Sequence, residues 1–257
     1  MIGVKSRTRS RLDAVLCRKS LPVQETGQFD KMGARNVASV PAQSDREPPM
    51  TATDLLTPED CVVLLVDEQA GLAFAAGSGD RQQLRSNAVA LARTARAFDV
   101  PVIVSTSASK VYSGPLMPPL RNVLPDVTPI ERRNMNVWED EAARTAVTAT
   151  GRKTIVVAGL LTEACVSFPV LSALAEGYAV RVVADACGGL TPESHAAALR
   201  RMEQAGAVLT SWLQFLLELQ RDWTRHDTYE AARSIVVDHG GGYGIGLDYA
   251  RDMIRPA

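Results

Sequence analysis

From Leu55 onward, short β-branched runs alternate with longer stretches in which apolar residues recur at helical spacing. Two periods in alternation leave few folds open. Runs too apolar to face water on one side need cover on both, and the intervening helices supply it. The runs are Cys61–Val66, Val102–Ser105, Thr128–Glu131, Thr154–Ala158, Val180–Ala184 and Val208–Thr210. Between them, Arg81–Phe98 carries Leu84, Val89, Leu91 and Ala95 on a helical repeat, and Glu139–Thr148 and Ala164–Glu176 obey the same rule. Thr191 ahead of Pro192 marks a further helix start, a cap residue before a first-turn proline, and Ser211 with Gln214 marks another as a capping box. The expected fold class is α/β: a three-layer, doubly wound, Rossmann-like and mostly parallel six-stranded sheet with helices on both faces. Such sheets bind ligands at the carboxyl ends of their strands, which directs attention to Asp67 and to the segment after Ala158.

Residues 1–50 lack this patterning. They mix Arg, Ser, Gln, Pro and Gly, and Lys5–Lys19 is basic with Asp13 its single acid, so the segment reads as a disordered or non-native N-terminal extension, with Met50 a candidate true start. Its Arg/Ser-rich opening is also the composition of an organelle-targeting peptide, a minor alternative to a cytoplasmic location. The folded domain is expected over residues 51–224, followed by a C-terminal extension over 225–257. A formal net charge of −1 supplies no basic field for a phosphate backbone, which argues against a nucleic-acid partner. Apolar runs such as Cys61–Val66 and Ile155–Leu161 fall far short of the roughly twenty residues a membrane helix needs, so no membrane partner is expected. The four cysteines are scattered without paired spacing, consistent with free thiols in a reducing cytoplasm, and the three histidines (His195, His226, His239) leave little from which to build a metal centre.

Two side chains stand where chemistry is expected. Asp67 ends the apolar run Cys61–Val66 and opens the loop Asp67-Glu-Gln-Ala-Gly71, which delivers a carboxylate to the rim of a dry interior; a lone aspartate there is more often a turn or helix cap. Cys165 lies just past a strand at the start of a predicted helix, where backbone N–H groups and the helix dipole favour thiolate and lower its pKa. A free cysteine is more often a small buried hydrophobe. The Gly240–Gly246 stretch lacks dinucleotide-loop spacing and reads as a flexible turn, Cys61 faces the core, and Cys187 reads as a structural thiol.

Three segments taken together shift the balance. Val66-Asp67-Glu-Gln-Ala-Gly-Leu72, Ala158-Gly-Leu-Leu-Thr-Glu-Ala-Cys-Val166 and Val182-Val-Ala-Asp-Ala186 resemble, in order and spacing, the signature blocks of the isochorismatase-like cysteine hydrolases. Asn136-Val-Trp138, Phe168-Pro-Val-Leu-Ser-Ala173 and Leu219-Gln-Arg-Asp-Trp223 resemble the YcaC-like branch. The resemblance implies a catalytic triad of Asp67 as base, Cys165 as nucleophile and a cation in the place where the family carries lysine. Arg132 holds that place and Arg133 competes for it. It further implies a cis peptide at Leu160–Leu161 and an oxyanion hole from the N–H groups of Leu161 and Cys165. Gln69 and Asn136 are candidates to reach the pocket, and Trp138 and Phe168 to form an aromatic wall to it, although large aromatics more often simply fill space. No cofactor and no metal are implied, because Ser105–Gly114 lacks the ligands that the family's nicotinamidases place after the second strand. The function so implied is cysteine-dependent hydrolysis of a small amide or related acyl compound through a thioester intermediate. The partners are a small-molecule substrate and other copies of the chain, with an octamer among the expected homo-oligomers. Tyr229, Ile235, Tyr243 and Ile245 supply apolar surface for subunit contact. Arginine in the lysine place motivates the alternative, a catalytically impaired small-molecule binder or oligomeric scaffold of the same fold.

Overall fold

The computed structural model describes residues 54–254, and the expectations for residues 1–50 lie outside them. Six strands form one parallel sheet: β1 (Cys61–Val66), β2 (Val102–Ser107), β3 (Ile130–Arg132), β4 (Thr154–Leu160), β5 (Ala179–Gly188) and β6 (Val208–Thr210). Their order is β3-β2-β1-β4-β5-β6. The helices are α1 (Ala70–Ala75), α2 (Arg81–Ala97), α3 (Pro118–Val123), α4 (Glu141–Ala149), α5 (Ser167–Ala175), α6 (Pro192–Gln204), α7 (Trp212–Gln220), α8 (His226–His239) and α9 (Gly242–Tyr249).

The chain builds β1 to β3 outward in one direction, then returns to lay β4 on the other side of β1, so the winding reverses between β1 and β4. Every residue of β1 and of β4 is buried, as continuous apolar runs at the centre of a covered sheet require. In register, Val66 lies opposite Ser105 of β2 and Gly159 of β4, so β1 ends before β2 (Ser107) and β4 (Leu160), and Asp67 emerges at the reversal point, where doubly wound sheets bind ligands. Gly159 (φ 154°) is required there: a Cβ would overlap the Val66 carbonyl oxygen. Gly159→Ala is expected to cost at least about 2 kcal/mol of stability, read as a lower urea midpoint; an unchanged midpoint would mean that β1 and β4 separate freely.

Four strands differ from the sequence expectation. β2 and β4 each run two residues further, and β3 is displaced to Ile130–Arg132, which makes Arg132 its last residue. β5 continues through Asp185-Ala-Cys-Gly188 because a bulge restores its pairing: Val157↔Val182 is followed by Gly159↔Cys187. Thr191 caps α6 in a full capping box, with Ser194 as the reciprocal partner. Ser211 caps α7 by accepting from Gln214 N–H, while the Gln214 amide donates to Glu218 at 2.9 Å.

The C-terminal segment corrects two expectations. Ala232, Ile235 and Val236 share one face of α8 and are buried in the core, so Ile235 is not subunit-contact surface and residues 226–239 belong to the same packed body as the sheet. Arg93 of α2 clamps α8 through Asp238 at 2.6 Å, and Ser86 bonds His239 at 2.8 Å. The glycine-rich stretch is not a flexible turn: Gly242–Tyr249 is helical, and Gly244 lets α9 approach the Val236 and Val237 carbonyls of α8 more closely than any side chain permits. Tyr243 and Ile245 remain exposed, and Tyr229 meets Trp223 edge to face with ring centroids 5.9 Å apart. Among the described residues no helix is long and apolar enough to cross a membrane.

Candidate active site

Asp67 begins where β1 stops. Its backbone is left-handed (φ 56°), its N–H donates to Ser105 O at 2.8 Å, and Gln69 N–H folds back onto Asp67 O at 2.6 Å. A non-glycine residue in this region costs free energy and persists where surrounding bonds over-determine it. Arg132, at the end of β3, receives the carboxylate as a fork: Nη1 donates to Oδ1 at 2.9 Å and Nη2 to Oδ2 at 2.7 Å. Both side chains are wholly buried. Parallel double bonds of this kind hold orientation as well as charge. Arg132 Nη2 also donates to Met135 O at 3.2 Å, which ties the loop after β3 to the same cation. Arg133 is exposed, so of the two arginines it is Arg132 that meets Asp67.

Cys165 comes from the other side of the reversal point. β4 ends at Leu160, the Leu160–Leu161 peptide is cis, and the chain enters a π-helical turn, Thr162–Val166, before α5. The half-buried thiol donates a hydrogen bond to Asp67, and the Leu161 N–H points at its sulfur. The resting ionisation is the reverse of that expected at a helix N-terminus: burial, reinforced by the adjoining Asp67 carboxylate, pushes the Cys165 thiol up to about 11, against a weaker opposing pull from Arg132. The thiol is therefore protonated near neutrality, and its proton already faces the group that can take it.

Cys61 and Cys187 are buried more completely, and burial pushes both higher, Cys61 to about 12. Among the cysteines of the described residues, alkylation by iodoacetamide is expected to begin at Cys165 and to accelerate about tenfold per pH unit from about pH 6 to 8 as thiolate accumulates, with Cys61 and Cys187 unlabelled in the folded protein. Peptide mapping after a limiting dose checks this; a Cys165 rate that is flat with pH would show that the thiol is already ionised.

Of the residues expected to reach the pocket, three have other work. Gln69 is fully buried and its amide is wholly engaged: Nε2 donates to Ser107 O at 3.0 Å and to Gly114 O, while Oε1 accepts from Ser107 N at 2.9 Å. It clamps the loop after β2. Asn136 caps the 3₁₀ turn Val137–Glu139 by accepting from Trp138 N, and it donates to Ser172 Oγ at 3.0 Å. Trp138 is core: it stacks edge to face on Tyr178 at 5.3 Å and lines an internal seam with Leu64, Ile155, Val157 and Val170. It is no wall of the pocket, because α5 packs over it. Phe168, half-buried on α5 one turn beyond Cys165, remains available to the site.

The residue that sequence reasoning passed over is Glu68. It is fully buried between Asp67 and Gln69, and neither carboxyl oxygen has a hydrogen-bond partner among the described residues. Burial, with Asp67 adding to it, pushes its carboxyl from 4.5 up to about 8. Its only signal was a charge continuing an apolar run, which also describes an ordinary solvent-facing loop acid. Of the histidines, His195 bonds the Thr162 hydroxyl at 2.8 Å and His239 is held by Ser86 and Arg93, while His226 is exposed. Among the described residues no group of three or more His, Cys, Asp or Glu side chains stands together in a metal-holding arrangement.

The isochorismatase-domain family profile matches residues 61–214. The probable hydrolase YcaC of Escherichia coli is 42% identical over 169 residues, covering 65% of this chain and 81% of that protein. The structure of YcaC from Pseudomonas aeruginosa, with hexane-2,5-diol and covalent acrylamide, superposes with a TM-score of 0.73 at 39% identity over 76% of this chain and 96% of that one. The E. coli YcaC structure, an octameric hydrolase of unknown specificity, gives 0.74 at 38% identity over 78% and 97%.

Proposed function

We propose, because the chain belongs to the isochorismatase family and is a hydrolase of that family, that it cleaves a small amide or related acyl compound through a thioester on Cys165. The observation that carries this reading is the buried Arg132–Asp67 fork set against the Cys165 thiol. Asp67 takes the thiol proton as sulfur bonds to the substrate carbonyl carbon, and the Leu161 and Cys165 N–H groups receive the oxyanion. The carbon–nitrogen bond then breaks, the proton on Asp67 passes to the leaving amine, and a thioester remains. Water gives a proton to Asp67 and attacks the thioester; the acid departs and Cys165 recovers its proton. Arg132 keeps the carboxylate aimed throughout. It exchanges no proton itself, since a guanidinium stays charged at any working pH.

Phe74, Val111, Tyr112, Met135 and Leu190 are exposed on the segments that follow β1, β2, β3 and β5, which forms an apolar rim at the carboxyl edge of the sheet. We assign this rim to substrate contact and to subunit contact in a homo-oligomer, an octamer as in the E. coli neighbour. Free thiols at Cys61, Cys165 and Cys187 fit a reducing cytoplasm.

The test is intact-mass analysis during turnover of a panel of primary amides and activated esters. The expected result is an acyl adduct that maps to Cys165 and is cleared by hydroxylamine. Product formation with no adduct under conditions that slow the second step overturns the thioester. A panel that binds without product, at a Cys165 that alkylates normally, moves the assignment to a small-molecule binder.

A further inference from the structure

Beside the catalytic carboxylate lies a second one that the mechanism above does not use. Residues 67–69 form a tight turn closed by the Gln69 N–H to Asp67 O bond, with Glu68 at its centre. The two neighbouring side chains have different surroundings. Asp67 reaches Arg132, at the end of the edge strand β3, whereas Glu68 exerts its charge on Cys187, across β4 on β5. Around Asp67 a guanidinium matches the charge in full. Around Glu68 there is no such partner: its side chain is fully buried, both oxygens lack protein hydrogen bonds, the charged group acting on it is Asp67, and the group it faces on β5 is the neutral Cys187 thiol, with Asp185 two residues earlier on that strand.

A lone carboxylate in these surroundings is far costlier than a carboxylic acid. The Asp67–Glu68 pair therefore carries one negative charge, and Arg132 decides which member holds it.

We propose, building on the function assigned above, that Glu68 is a positioning residue of the hydrolase centre: it retains its proton so that Asp67 is the sole anion beside Cys165, and the centre works only while Glu68 is neutral. When Glu68 ionises, a second negative charge enters behind Asp67. It opposes formation of the Cys165 thiolate and of the oxyanion that follows, so the reactivity of the centre falls off on the alkaline side. The burial-raised carboxyl places that limb near pH 8.

Two measurements test this. In the first, iodoacetamide modification of Cys165 is timed from pH 6 to 10 in the wild-type protein, in Glu68→Gln and in Glu68→Met, the last filling the same buried volume without polar atoms. In the wild type the logarithm of the rate should climb with pH and then flatten just above pH 8; in both variants it should climb without a break and run roughly tenfold faster than wild type at pH 9.5. Superimposed profiles overturn the proposal. In the second, the infrared carbonyl band of a protonated carboxylic acid is followed in the wild-type protein. A band present at pH 6.5, lost by pH 10 and missing from either folded variant supports Glu68 as a proton holder; its absence from the wild type at pH 6.5 overturns it. The infrared result does not depend on thiol chemistry. A Cys165 that never labels, together with a clear Glu68 band, removes the proposed hydrolytic function and leaves the protonated carboxyl standing.

Discussion

Replacing Cys165 by alanine is expected to lower turnover of any acyl substrate by at least about 10⁴-fold while leaving the fold and the Asp67–Arg132 pair intact. Among the described residues no other thiol can stand in, since Cys61 and Cys187 are buried and harder to ionise. Nor can Asp67 substitute as a nucleophile: both of its oxygens are held by the Arg132 fork. Cys165→Ser sharpens the point. A hydroxyl is a far weaker acid than a thiol, and a thiol already pushed to about 11 needs Asp67 to leave it; a serine there should recover little of the lost rate. Initial rates on the first substrate found, with thermal unfolding recorded on the same samples, provide the check. A Cys165→Ala enzyme within about tenfold of wild type would sink the covalent route and leave direct attack by an Asp67-activated water as the reading.

The parts of this molecule that were legible in its sequence are those decided by local pattern. β1 and β4 could be read almost to the residue because a central strand covered on both faces must be apolar throughout, and Cys61–Val66 and Thr154–Ala158 are. β5 was read short because Asp185 and Gly188 look like turn residues; only the bulge against β4 lets them pair, and a bulge is a property of two strands. Gly244 of α9 looks like freedom in one dimension and proves to be close packing against α8 in three. The site divides the same way. Asp67 and Cys165, the proposed base and nucleophile, were legible as a pair because each follows a strand at the point where the sheet reverses. The ionisation of Cys165 was misjudged in sign, since the helix terminus is written in the local sequence whereas the burial that outweighs it, reinforced by the Asp67 carboxylate from nearly a hundred positions away, is set by the fold. Trp138 and Asn136 were misplaced for a similar reason: whether a side chain lines a cleft or fills a seam depends on the helix that covers it, here α5.

Arg132→Met is expected to destabilise the protein by about 3–5 kcal/mol, because it leaves Asp67 buried with no cation to meet it. The cost arises from the orphaned carboxylate rather than from the worth of the pair, and a double replacement separates the two. Asp67→Leu combined with Arg132→Met removes both desolvation penalties at once, so it should recover most of the loss and return to within about 1–2 kcal/mol of the wild type. Arg132→Lys keeps the charge but loses the fork and the bond to Met135 O, and should fall between wild type and Arg132→Met in stability. Activity follows a different order. The double variant has neither base nor cation and is inactive however well it folds, while Arg132→Lys keeps a cation within reach of Asp67 and should keep measurable turnover. Urea titration of the four proteins, with rates on one substrate, reads both orders. A double variant as unstable as Arg132→Met would mean that the arginine holds the loop after β3 for its own sake. Recovered stability without recovered activity is the signature of a buried ion pair kept for chemistry and not for folding.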